Sequence, residues 1–187
     1  MIANGILVFG PTCKVIRKGK AMLHVYYGEG KGKTTSAAGL AVRALGHGQR
    51  VCFVQFLKSG TSGELAVLRQ AGALVFSGKA GTKFVSQMTE AEKKETARIH
   101  NCFLESAKNA DWDLLVLDEA CAAASAGLID EEMLCGIVLD NRTSKEIVIT
   151  GRNPRSWMLE AADYITEMKC VRHPYELGIQ AREGVEF

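Results

Sequence analysis

The chain has little proline, few aromatics and no excess of charge of either sign. Its 187 residues hold 3 Pro and 2 Trp, and aromatics make up 7%, which excludes collagen-like and proline-rich chains. No apolar run approaches the roughly 18–20 residues needed to cross a bilayer. Lys and Arg number 23 against 21 Asp and Glu. Four of those basic residues, Lys14, Arg17, Lys18 and Lys20, lie in the first twenty positions with no acid beside them, which leaves 19 against 21. The body therefore lacks the basic surplus of a dedicated nucleic-acid binder, and neither nucleic acid nor membrane is an expected partner.

Missing motifs narrow the chemistry further. The six cysteines, Cys13, Cys52, Cys102, Cys121, Cys135 and Cys170, form no C-x-x-C pair and have no His at zinc spacing. Free thiols in a reducing cytoplasm are expected. The apolar patch from Ile6 to Phe9 precedes its basic residues, the reverse of a secretory signal. There is no G-x-S-x-G elbow, no H-E-x-x-H helix and no Ser-His-Asp set. His24, His47, His100 and His173 lie far apart in sequence, and His24 and His173 read as structural.

What is present is alternation of strand-like and helix-like segments. Strands are expected at 23–27, 51–57, 73–76, 114–117, 147–150 and 164–168. Helices are expected at 34–45, 63–70, 89–110, 130–139 and 155–162, with 78–86 as a loop. Thr89 with Glu92 makes a capping box, and Asp130 is an N-cap. This is an α/β pattern with a mostly parallel central sheet flanked by helices. Residues 22–187 read as a single domain. Residues 1–21 fall outside the pattern, as an N-terminal extension that is a start-site artefact, a disordered segment or a flap.

Between the first strand and the first long helix stands Gly28-Glu29-Gly30-Lys31-Gly32-Lys33-Thr34-Thr35. Glycines let a backbone turn tightly and aim N–H groups at an anion. The following helix adds the positive end of its dipole. Lys33 supplies a point charge for a polyphosphate, and the Thr34 hydroxyl suits a Mg²⁺ shell. The usual phosphate loop requires Gly at position 27, where this chain has Tyr27. Downstream, Leu114-Leu115-Val116-Leu117 delivers Asp118 and Glu119 to the carboxyl edge of the sheet, where either carboxylate suits a hard cation and Asp118 alternatively caps the next helix. These motifs specify a Mg-nucleotide and leave hydrolase, kinase and alkyl transferase open.

A longer set of blocks resembles one family. Val25 to Thr35, Arg43-Ala44-Leu45-Gly46-His47-Gly48, Val54-Gln55-Phe56-Leu57-Lys58, Gly63-Glu64-Leu65 and Val116-Leu117-Asp118-Glu119 carry the first part. Thr150-Gly151-Arg152-Asn153-Pro154, Ala162 to Met168, His173-Pro174-Tyr175, Gly178-Ile179 and Gly184 to Phe187 carry the rest. Together, from about residue 22 onward, they resemble the P-loop type of ATP:corrinoid adenosyltransferase in its short form.

The resemblance implies a RecA-like, P-loop NTPase-like fold. It implies transfer of the 5′-deoxyadenosyl group of ATP to the Co(I) of a reduced corrinoid, cob(I)alamin or a cobyrinic acid derivative, with triphosphate as leaving group. It also implies Mg²⁺ or Mn²⁺, a flavoprotein or other reductase, and a homodimer. ATP lies reversed in this family's loop, which would explain Tyr27.

Carried over by motif, Gly28, Glu29, Gly30, Lys31, Gly32, Lys33, Thr34 and Thr35 would cradle the triphosphate. Lys33, Glu119 and Arg152 would be catalytic. Thr34 and Glu119 would hold the metal, with Asp118 beside them, and Arg43 would contact nucleotide. Longer members press a Gly-Phe-Thr-Trp block against the corrin; the stretch here is Gly81 to Met88, which retains Phe84 and lacks the Trp. Two other readings remain: a P-loop NTPase or small-molecule kinase, and an ATP-sensing module without chemistry.

Overall fold

Hydrophobic runs become buried strands, and the computed structural model, which describes residues 21–81 and 83–185, shows how. Six strands form one all-parallel sheet: β1 (Leu23–Tyr27), β2 (Val51–Gln55), β3 (Leu74–Ser77), β4 (Leu114–Asp118), β5 (Glu146–Gly151) and β6 (Tyr164–Glu167). Their order is β3-β2-β4-β5-β1-β6. Every residue of β2 and β4 is buried, as both faces of a covered parallel sheet require. The extension at residues 1–20 lies outside the described residues, as do Thr82, Glu186 and Phe187 of the resemblance blocks. Ala21, the first described residue, is buried.

Helices cover both faces. α1 (Lys33–Gly46) turns Ala37, Ala41 and Ala44 inward. With Leu65 and Leu68 of α2 (Gly63–Gln70), they pack on Phe53, Leu114, Val116 and Val148. Small alanines let α1 sit close to the sheet. The opposite strand residues, Cys52, Val54, Leu115, Leu117, Ile147 and Ile149, meet the remaining helices. These are α3 (Glu90–Asn109), α4 (Ala120–Ser125), α5 (Glu131–Asn141) and α6 (Ser156–Ala161). Residues at alternate positions of one strand thus feed two separate apolar layers.

The expected caps form. Thr89 Oγ1 accepts from Glu92 N at 3.2 Å while Thr89 N donates to Glu92 at 2.7 Å, and Asp130 accepts from Met133 N at 3.0 Å. Two features differ from the sequence reading. β2 stops at Gln55, two residues early, because Leu57 takes a left-handed φ of 61°. The six-residue α4, starting directly after Glu119, has no sequence counterpart above. No described helix is long and apolar enough to cross a membrane.

The structural histidines have clear partners. His24 faces Glu146 at 2.5 Å and Tyr26 at 3.0 Å, and His173 accepts from Tyr175 N at 3.2 Å at the start of a short 3-10 turn, Pro174–Leu177. His100 is fully buried against Phe56 and the Leu128 carbonyl, and burial pushes its pKa down to about 4.

Candidate active site

The glycine loop joins the carboxyl end of β1 to α1, at the sheet edge where α/β proteins bind ligands. Its glycines are spaced for a physical reason beyond presenting N–H groups. Gly28 and Gly32 have φ values of 112° and 115°, a region side chains rarely enter. Gly30 has ordinary torsions, but a Cβ there would lie 2.7 Å from both the Met168 and Lys169 carbonyl oxygens. The chain leaving β6 thus runs directly over the loop, and Gly30 N donates to Met168 O at 2.7 Å.

Lys33 begins α1 and is buried, its ammonium donating to the Gly30 carbonyl at 2.7 Å. Burial lowers its pKa; Glu119 pulls the other way, and Arg152 adds to the lowering. Beside it, Thr34 Oγ1 donates to Asp118 Oδ1 at 2.9 Å. β5 lies between β1 and β4 in the sheet, and its Thr150 Oγ1 also donates to Asp118 Oδ1, at 2.7 Å. The Thr150 oxygen in turn accepts from Glu119 N at 3.0 Å. Asp118 Oδ2 accepts from Gln55 Nε2 at 3.1 Å and from the Lys58 ammonium at 3.0 Å.

Asp118 is therefore fully buried and held by four donors, and it does not cap α4. Glu119 occupies that position instead, with a left-handed φ of 61°, and faces the cavity. Burial, followed by the neighbouring Asp118, raises the Glu119 pKa, against the pull of Lys58, Lys33 and Arg152. The cavity measures about 470 Å³ and is lined by the loop from Lys31 to Thr35, by Lys58, Glu64 and Glu119, and by Gly184 and Val185 of the tail. Lys31 reaches across it to the Val185 carbonyl at 2.6 Å. That volume falls within the range of small-molecule sites.

Not every candidate converges here. Arg152 pairs with Glu29 at 3.0 Å, with both side chains more than half exposed, close enough for its charge to act on Lys33 and Glu119. Arg43 sits ten residues beyond Lys33 on α1, about 15 Å along the helix, and lines a different cavity with Glu146, at the opposite end of the sheet. Helix length carries Arg43 away from the loop. Phe84 is 77% exposed and anchors nothing to the core. Sequence reasoning missed Lys58, Thr150 and Gln55 as site residues. The signal for Gln55 and Thr150 was a polar residue ending an otherwise apolar strand.

A parallel α/β sheet with a glycine loop, a buried lysine, and a threonine–aspartate bond between loop and neighbouring strand define a P-loop nucleotide-binding domain. The family described as ATP:corrinoid adenosyltransferase BtuR/CobO/CobP matches residues 19–187, and the chain belongs to it. It is similar to a corrinoid adenosyltransferase of Pseudomonas aeruginosa, 35% identical, over 91% of this chain and 86% of that one. A corrinoid adenosyltransferase of Escherichia coli K12 is 29% identical over 90% and 86%, and one of a Sinorhizobium species is 30% identical over 90% and 81%. The activity is adenosyl transfer to a corrinoid, with ATP and corrinoid as substrates.

The raised pKa of Glu119 has a visible consequence. Ionising this partly buried carboxylate costs stability, so its contribution is favourable below the ordinary carboxylate pKa and is lost as pH rises through the raised one. A cation beside it would offset that cost. ATP binding measured with Mg²⁺ present should therefore weaken on acidification through the raised pKa. Glu119→Gln should remove that acid limb while weakening binding throughout; calorimetric titrations across pH measure both.

Proposed function

We propose that the loop holds the triphosphate of ATP while Lys33, Thr34 and Glu119 serve its charge, so that the ribose 5′ carbon faces a cob(I)alamin or cobyrinic acid derivative. The Co(I) lone pair forms the cobalt–carbon bond as the carbon–oxygen bond to triphosphate breaks, and triphosphate leaves with the bonding pair. The protein supplies no nucleophile. Its role is positioning and electrostatic stabilisation of the departing anion. The observation that carries this reading is the junction of loop and strand: Lys33 buried at the cavity floor, with Thr34 bonded to Asp118 at 2.9 Å.

The residues fit a divalent ion. The Thr34 hydroxyl donates its hydrogen bond to Asp118 and accepts one from Lys58, which leaves one lone pair for an ion, and Glu119 adds a cavity-facing carboxylate. Among the described residues no group of three His, Cys, Asp or Glu forms an all-protein cage. Mg²⁺ or Mn²⁺ would thus take its other ligands from phosphate and water, as Mg²⁺ commonly does. When bound, the ion neutralises charge developing on the triphosphate. In this reading Arg152 would leave Glu29 for the phosphates, and the exposed Phe84 would offer an apolar surface to the corrin face.

Residues 22–187 act as one unit in this reading, as a cytoplasmic homodimer served by a flavoprotein or other reductase that delivers the electron for Co(I). All five described cysteines are free, in keeping with a reducing compartment.

The test is incubation with Mg-ATP and chemically reduced cobalamin, followed by the visible spectrum and phosphorus NMR. Alkylcobalt and triphosphate should appear one for one. Orthophosphate without alkylcobalt would replace this reading with that of an NTPase, and bound ATP with neither product with that of a sensor.

A further inference from the structure

Lys58 sits where a divalent cation would be expected. Its ammonium lies 2.9 Å from Thr34 Oγ1 and 3.0 Å from Asp118 Oδ2, so one cation bridges the hydroxyl and the carboxylate that define the metal pole of a phosphate loop. Asp118 is fully buried, whereas the Lys58 side chain is 30% exposed and lines the cavity. One end of this contact is therefore fixed and the other is on a flexible stem that can lean toward solvent.

The backbone is shaped to bring it there. Leu57, immediately before it, is one of three non-glycine residues with positive φ among the described residues. Such torsions in a bulky residue persist only when the surroundings enforce them. Leu57 N donates to His100 Nε2 at 3.3 Å, and the other ring nitrogen of His100 bonds the Leu128 carbonyl at 3.1 Å. The neighbouring Phe56 N donates to Asp118 O at 3.0 Å. The chain is thus turned back at the end of β2 toward the loop, instead of running on outward.

We propose that Lys58 is a built-in counter-cation of the phosphate site, sharing the Thr34–Asp118 pole with the divalent ion and moving onto the triphosphate when that ion binds. The inference rests on the reading of Thr34 as a metal-pole residue. Two consequences follow from sharing. Without a divalent ion, Lys58 keeps the pole neutral and lets the loop accept the polyphosphate. With the ion present, Lys58 and the ion repel each other at the pole, and part of the ion's benefit is spent on displacing it. Removing the lysine should therefore make ATP binding more dependent on Mg²⁺, not uniformly weaker.

The experiment compares ATP affinity of the full chain, by calorimetry, in EDTA and in saturating Mg²⁺, without corrinoid so that no turnover occurs. For Lys58→Met the ratio of the two affinities should exceed the wild-type ratio by about tenfold, the scale of one partly screened charge beside a cation site. Lys58→Arg, which keeps the charge, should stay near the wild-type ratio. Thermal melts report whether each variant folds, and Lys58→Gln takes the place of the Met form if that one does not. An equal loss in EDTA and in Mg²⁺ would overturn the proposal and make Lys58 a plain phosphate ligand. An unchanged affinity in both would make it structural. Failure of the wild-type chain to bind ATP with Mg²⁺ would bring down the site reading itself.

Discussion

Lys33→Ala is expected to remove adenosyl transfer, lowering kcat/KM by roughly 10²–10³-fold or more, the scale for losing a preorganised group aimed at developing charge. The leaving group is a polyanion, and Lys33 is the only buried lysine among the described residues. A cation held in a water-poor site interacts with a phosphate more strongly than one in solvent. The protein also bears the expense of keeping it there, since burial lowers its pKa. The loss should show mainly in kcat/KM and ATP affinity, with the fold intact, because the ammonium's hydrogen bond is to one loop carbonyl, that of Gly30. Lys33→Arg should not restore activity: the planar guanidinium is too large for the buried position that Lys33 fills. Steady-state kinetics with a circular dichroism control would check this, and retained turnover in the alanine form would mean that the loop has been misassigned.

The contrast between Lys33 and Lys58 shows what local pattern can and cannot reveal. Lys33 is legible because a glycine loop before a helix carries its own mechanism. Lys58 comes three residues after a strand of four apolar residues and Gln55, and nothing in its neighbours announces that Leu57 turns back. That turn depends on His100, 43 residues away in sequence. Thr150 ends an apolar run, which marks it as polar at the sheet edge but not as a partner of Asp118. Its role follows from the insertion of β5 between β1 and β4, a fact of sheet order that no window of sequence contains.

The elements themselves were legible for the opposite reason. β2 and β4 are short apolar runs buried on both faces, and α3 carries a complete capping box at its start. α4 escaped because its run of alanine and cysteine has no polar face and its N-cap is Glu119 in a left-handed torsion, not one of the usual capping residues. Gly151 makes that helix possible: a Cβ there would lie 2.9 Å from Cys121 Cβ. Arg43 stands apart from the loop for a different reason. The residue was read from its block, and the block is helical, so each further residue moves it about 1.5 Å along α1 from Lys33.

The same geometry separates two glycines of one short segment by their expected response to alanine. Gly30→Ala should destabilise the chain by about 2–4 kcal/mol, combining an overpacked contact with a weakened backbone hydrogen bond. Neither carbonyl oxygen that its Cβ would meet can swing aside as a flexible side chain could; both belong to the chain leaving β6. Something must shift, and the shift opens the loop, so ATP affinity should fall with stability. Gly39, nine residues on and within α1, has nothing within 4 Å of its Cβ position. Gly39→Ala should therefore stabilise the chain by about 0.5–1 kcal/mol through helix propensity, with ATP binding unchanged. Denaturant melts paired with ATP titrations give both values. If Gly30→Ala bound ATP as the wild type does, the crossing of Met168 and Lys169 over the loop would be ordinary packing, and the alternating glycines would owe their spacing to N–H presentation alone.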